Sequence, residues 1–197
     1  MSHTTGQLMP MPPRFTTLVA LLFVAWPAVD LGAWELNGAK SIIATAADGT
    51  RIPLGSVEFT PAAGGHSTFK VALDRGPFSD HFLSMREFKC LQGGTELTCH
   101  VPYPYAHPGT VKPGDFAWLE HSLLFFYKAP SEFGAKLWNG VYFEFRETSS
   151  GLVGTPVAGY LHLIAAPPAN LSAPPFRAAL RDEMPLQARW IRSVSIE

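Results

Sequence analysis

Apolar and polar side chains alternate along much of the chain beyond residue 34, the period-two pattern of half-buried strands. Residues 34–46 read as a first strand, closed by the turn chemistry of Ala47-Asp48-Gly49-Thr50. Residues 51–59 follow. Their apolar parity changes from Ile52 and Leu54 to Val57 and Phe59 across Pro53 and Gly55, which predicts a β-bulge. Residues 67–74 set Phe69, Val71 and Leu73 on one face, and residues 82–90 and 96–103 form a hairpin. Residues 140–148 and 157–165 alternate again. Between them, Asp115 has the character of an N-cap, and apolar residues at 116, 119, 123 and 126 predict a long helix over 116–128, ended by Pro130. The expectation is a mainly β domain with one long helix. Its antiparallel meander of about seven strands would form a barrel-like or strongly curved sheet.

This domain is expected over residues 34–166. A Pro- and Ala-rich connector over 167–175 leads to an amphipathic piece over 176–183, and residues 189–196 read as an added edge strand or a docking tail. Residues 1–33 have the make-up of a secretory signal. Arg14 is followed by an apolar run from Leu18 to Trp26 and by small residues, with Ala33 at the favoured cleavage edge and Trp34 as the first mature residue. Met11 offers a more compact start than Met1. The apolar run is well short of the ~20 residues that span a bilayer, so no transmembrane segment is expected after cleavage. The expected location is the periplasm or the exterior.

Composition agrees with a folded core, at 47% hydrophobic and 16% charged over 197 residues. The formal net charge is −1 and basic residues form no cluster, which argues against nucleic acid as a partner. Export would place Cys90 and Cys99 in an oxidising compartment, and their spacing can be tested against hairpin geometry. With Gly94 at the first central position of a type II′ turn, residue 93 pairs with 96, 92 with 97, 91 with 98, and Cys90 with Cys99. Pairs alternate outward between bonded and open, which leaves the cysteines at an open site where side chains lie closest. A loop this short contributes on the order of 2–3 kcal/mol.

Arg86 is the first candidate for chemistry. It shares parity with Phe82, Phe88 and Cys90, and the hairpin register carries that face on through Leu97, Cys99 and Val101, with Tyr103 opposite Arg86. A guanidinium on an apolar face needs a partner, and a structural arginine stacked on the tyrosine is weighed against an anion-binding one. Tyr103 and Tyr105, in the proline-punctuated loop 102–108, offer rings to a ligand, and His81 completes the candidate set. No histidine pair has the spacing by which helices or strands present metal ligands, and no cofactor motif occurs. The Ser79-Asp80-His81 run is a triad in letters only, and G-x-S-x-G is absent. Glu120 and His121 are assigned to a solvated helix face.

The runs Phe82-Leu-Ser-Met-Arg-Glu-Phe-Lys-Cys90, Cys99-His-Val-Pro-Tyr-Pro-Tyr105, Leu119-Glu-His-Ser-Leu-Leu-Phe125 and Trp138-Asn-Gly-Val-Tyr142 resemble a family of uncharacterised exported proteins of Gram-negative bacteria. The resemblance covers about residues 34–168. It implies a periplasmic location and carries over no catalytic residue. The expected function is a non-catalytic periplasmic binding or envelope-associated module, its partner a small ligand or an envelope protein. An enzyme with a pocket around Arg86 and Tyr103 is one alternative. An interaction subunit docking through the C-terminal tail is the other.

Overall fold

A computed structural model describes residues 1–3, 34–82, 87–176 and 180–197. The chain divides into two units, Met1–Gly32 and Ala33–Glu197. Nearly all of the expected signal segment, and Arg86 with it, lies outside the described residues.

The second unit is built on one antiparallel sheet. Its strands in chain order are β1 (Gly38–Ala46), β2 (Arg51–Ala62), β3 (His66–Leu73), β4 (Ser79–Phe82), β5 (Glu87–Gln92), β6 (Leu97–His100), β7 (Thr110–Val111), β8 (Phe125–Lys128), β9 (Gly140–Thr148), β10 (Gly151–Gly159) and β11 (Ile191–Ile196). The order across the sheet is β4-β5-β6-β8-β9-β10-β11-β1-β2-β3-β7. The sheet is therefore open, with eleven strands, in place of the barrel-like seven expected. Two meanders, β1-β2-β3 and β4-β5-β6-β8-β9-β10, are joined side by side through β11, and β7 lies beyond β3 at the far edge.

The sheet also bends back on itself. Leu54, Val57 and Phe59 on β2 share one buried cluster with Leu91 on β5, although those strands stand seven places apart in the sheet order. In a flat sheet that separation would be ~34 Å. Over β5, β6, β8 and β9 both faces are covered. Leu91, Phe125, Val141 and Phe143 pack inward, while Cys90, Cys99, Phe126 and Tyr142 pack outward beneath Leu161, Ile164 and Phe176. The connector after β10 is thus a strap over the outer face.

The cysteine hairpin has the register that the spacing dictates, with Cys90 opposite Cys99, Leu91 opposite Thr98 and Gln92 opposite Leu97. The disulfide joins the pair. Gly94 supplies the positive φ, +71°. Gly93 has a separate reason to be glycine, because a Cβ there would fall 2.1 Å from the Trp190 indole. The bulge in β2 is present as well: Ile42 pairs with Gly55 and Ile43 with Pro53, leaving Leu54 as the extra residue.

Three expectations are corrected. The long helix is a six-residue α1 (Ala117–Ser122), and Phe125–Lys128 is instead β8, hydrogen-bonded between β6 and β9. An apolar run that reads as helical is claimed by two flanking strands. The strand expected over 157–165 starts earlier, at Gly151, and Leu161–Ile164 is a 3-10 turn. Gly154, inside β10, is a packing requirement, since a Cβ there would lie 2.8 Å from Phe143 and 2.9 Å from the Phe145 ring. Last, β11 is an interior strand, paired with β10 and β1, with Val194 and Ile196 fully buried.

Two outcomes follow for stability. Replacing both cysteines with serine lowers the unfolding free energy by about 2–3 kcal/mol, read as a lower urea midpoint that no longer responds to reductant. Ending the chain after Trp190 removes the strand that joins the meanders, and circular dichroism in urea then shows no cooperative transition.

Candidate functional site

The hairpin ladder stops at His100. Val101 turns away, donating its N–H to the Leu124 carbonyl at 2.8 Å, and Pro102 and Pro104 cannot donate to a strand. Tyr103 therefore stands beyond the hairpin ladder. On its other side β5 pairs with β4 over Glu87–Cys90, and Arg86 lies outside the described residues. The shared face itself is present: Phe88, Cys90, Leu97, Cys99, Val101 and Tyr103 pack in one cluster.

Tyr103 instead stands in a group of rings. Its centroid lies 5.7 Å from Tyr105 and 5.9 Å from each of His107, Trp118 and His121. His107 stacks on Trp118 at 5.3 Å and on Phe69 of β3 at 6.1 Å. The Tyr105 hydroxyl donates to the Ile164 carbonyl at 3.1 Å, which gives that residue a structural task. His81 is elsewhere, on β4, with the Gln92 amide nitrogen 3.0 Å from its Nε2. Of the four candidates, Tyr103 and Tyr105 come together, His81 stays apart and Arg86 is not described.

Tyr103 lines a cleft of about 560 Å³, within the range of small-molecule sites. One wall is the inner face of β3, with Phe69, Val71 and Leu73, continued by Phe78. The facing wall is Pro102, Tyr103, His107 and His100. Lys70, Arg75 and Lys89 also line it, with Asp74 as the acid among them. Lys89 forms an ion pair with Asp80. The Tyr103 hydroxyl is buried and has no hydrogen-bond partner among the described residues. Burial raises its pKa above the ordinary tyrosine value, so it remains a proton donor. Burial lowers the pKa of His100 and His107, which favours their neutral forms.

Ser122 and His100 both line the cleft but do not form a nucleophile and base. The Ser122 hydroxyl donates to the Trp118 carbonyl at 3.0 Å, and His100 Nε2 lies 3.2 Å from the Ser122 carbonyl oxygen. No group of three or more His, Cys, Asp or Glu among the described residues is arranged to hold a metal ion.

Behind the rings lies a buried polar knot that the sequence did not disclose. Glu120 and His121, assigned to a solvated helix face, are 3% and 1% exposed. Glu120 accepts the Phe145 N–H at 2.9 Å and the Arg181 guanidinium at 2.6 Å. Arg181 also reaches Glu144 at 2.7 Å and stands over the Tyr142 ring. His121 donates from Nδ1 to the Ala117 carbonyl and accepts the Phe176 N–H at Nε2, 3.0 Å away. Both ring nitrogens are occupied in the neutral form. The strap, distant in sequence, and β9 together turn this helix face into interior.

Comparison with protein-family models, curated proteins and solved structures finds no match. Fold and site together define the class: an open, bent antiparallel sheet with an aromatic cleft at its unclosed side.

The His121 environment sets a pH dependence. Burial, as the largest cause, pushes its pKa from 6.5 down to about 4. The unfolded chain therefore binds a proton that the folded chain refuses, and stability falls as pH drops from 6.5 towards 4. The contribution is about 3 kcal/mol. Glu120, whose pKa is raised mainly by burial, opposes part of it. In urea titrations across this range, the native protein loses stability on acidification, and His121→Gln shows a shallower slope.

Proposed function

We propose that the protein is an exported, non-catalytic binding module of the periplasm, and that the cleft at Tyr103 takes a ligand with an apolar body and an anionic group. The signal-like residues 1–33 and the disulfide between Cys90 and Cys99 support export. The observation that carries the ligand reading is the concave site itself, with Tyr103 in its wall; the hydroxyl of that residue is buried and has no partner among the described residues. Leaving such a group unpaired costs about 1–3 kcal/mol, and a ligand acceptor would recover that. The apolar walls fit the ligand body, and Lys70 and Arg75 fit its charge. The enzyme alternative lacks support from Ser122 and His100, since the Ser122 hydroxyl and His100 Nε2 each bond a backbone carbonyl and not one another. A docking tail would need residues that β11 commits to the sheet.

Two measurements test this. Residues 1–33 fused to a reporter that is active only when oxidised give an active reporter, and the N-terminus of the exported protein is Trp34. Protein purified from periplasm under native conditions carries a small molecule visible by mass spectrometry. Tyr103→Phe retains about tenfold less of it with no loss in urea midpoint, because the hydroxyl has no partner to lose in the empty protein. A full complement of ligand on the variant would refute the role of the hydroxyl.

A further inference from the structure

The cleft lies along an incompletely covered sheet edge. β3 pairs with β2 over its full length. On its other side β7 covers only Ser67 and Thr68, and the Phe69 N–H donates to the Gly109 carbonyl at 2.9 Å. Backbone groups of successive strand residues point to opposite sides. Because Phe69 points away from β2, Val71 and Leu73 do too, and among the described residues no strand meets them there. Their side chains line the cleft, and so do Lys70 and Arg75. An open edge, an apolar wall with alternating positions and an excess of cationic side chains thus coincide.

We propose that the occupant of the cleft is an extended peptide segment that adds a strand to β3 at residues 70–73, with carboxylate side chains directed to Lys70 and Arg75. This rests on the binding-module reading and specifies its ligand. Four residues of edge span ~13 Å, enough for main-chain bonds to Val71 and Leu73 while alternate side chains meet Phe69, Phe78 and Tyr103. A lipid or aromatic acid could use the same wall and the same cations. It would leave the Val71 and Leu73 N–H groups without partners in a site it had stripped of water. The peptide is the occupant that satisfies both edge and wall.

The test is a titration of the oxidised, 15N-labelled full chain with the capped hexapeptide Ac-Val-Glu-Val-Glu-Val-Glu-NH2, followed by NMR. Two further probes are the same peptide N-methylated at alternate amides, in both phasings, and sodium laurate. The hexapeptide is expected to shift the Val71 and Leu73 amides. One methylated phasing should bind at least about tenfold more weakly than the other, because it alone blocks the edge bonds. Lys70→Glu combined with Arg75→Glu should weaken the hexapeptide by a similar factor and leave the urea midpoint in place. Equal binding of both phasings, or shifts confined to residues away from β3, overturns strand addition. Laurate binding in the cleft with no hexapeptide binding also overturns it, while leaving the binding-module reading intact. If neither probe binds and native protein carries nothing, both readings fail.

Discussion

The pairing of β11 with two partners holds the molecule together. Ile196 lies opposite Ile42 of β1 and opposite Leu152 of β10, and Val194 lies opposite Ala44 and Gly154. Without this strand the two meanders would be hydrogen-bonded to each other, among the described residues, only where the loop after β6 and the short β7 meet β3. The residues just before it fix the curvature as well. Arg189 reaches Glu96 in the hairpin turn at 3.1 Å and lies 3.5 Å over the Tyr127 ring, and Trp190 occupies the space that Gly93 leaves. One short segment therefore joins the sheet across its middle and draws the disulfide hairpin towards it. These contacts are distant in sequence, so chain entropy is lost before they form and folding should be slow.

The cleft follows from that curvature. Bending brings the inner face of β3 towards β5 and β6, but β4 and β7 remain edges and the ladder does not close. The proline-punctuated loop fills part of the gap with rings and leaves the rest concave. Prolines suit this place because the loop must run beside a sheet without joining it. His107 and Trp118 then brace the loop against Phe69, so the wall that carries Tyr103 is held by the strand it faces.

Legibility followed the range of the interactions. The Cys90–Cys99 register was readable because a turn and a covalent bond impose the same local geometry. The strand at 140–148 was readable because Val141, Phe143 and Phe145 repeat one unbroken alternation. The bulge at Leu54 announced itself as a parity change. Phe125 to Lys128 misled because helical spacing and a doubly buried strand are both apolar runs, and only the flanking β6 and β9 decide between them. The reason for Gly154 lies in the aromatic bulk of the neighbouring β9, which no local pattern around it encodes. The hairpin parity placed Tyr103 on the correct face, but its partners Trp118, His107 and His121 come from elements whose positions no local pattern encodes. Arg181, in a segment read as a short amphipathic piece, gave no signal of its contact with Glu120. Ion pairs across 61 positions leave none in a single sequence.

The buried knot connects strap and cleft. Glu120 is desolvated, and its charge is tolerable because Arg181 and the Phe145 N–H meet both its oxygens. An apolar residue at 120 would avoid the desolvation cost but would leave Arg181 with Glu144 as its ion-pair partner, and the strap would keep only the bond from Phe176 to His121 of its two polar anchors to α1. Such anchoring matters beyond stability because the rings form a continuous path. Phe176 of the strap lies 5.1 Å from His121, His121 5.9 Å from Tyr103, Tyr103 5.9 Å from His107, and His107 6.1 Å from Phe69 on β3. Packed rings do not deform continuously. A displaced strap would move His121, and His121 could not move without shifting Tyr103 in the cleft wall. The costly buried charges beneath the strap thus help to fix the shape of the cleft wall that carries Tyr103.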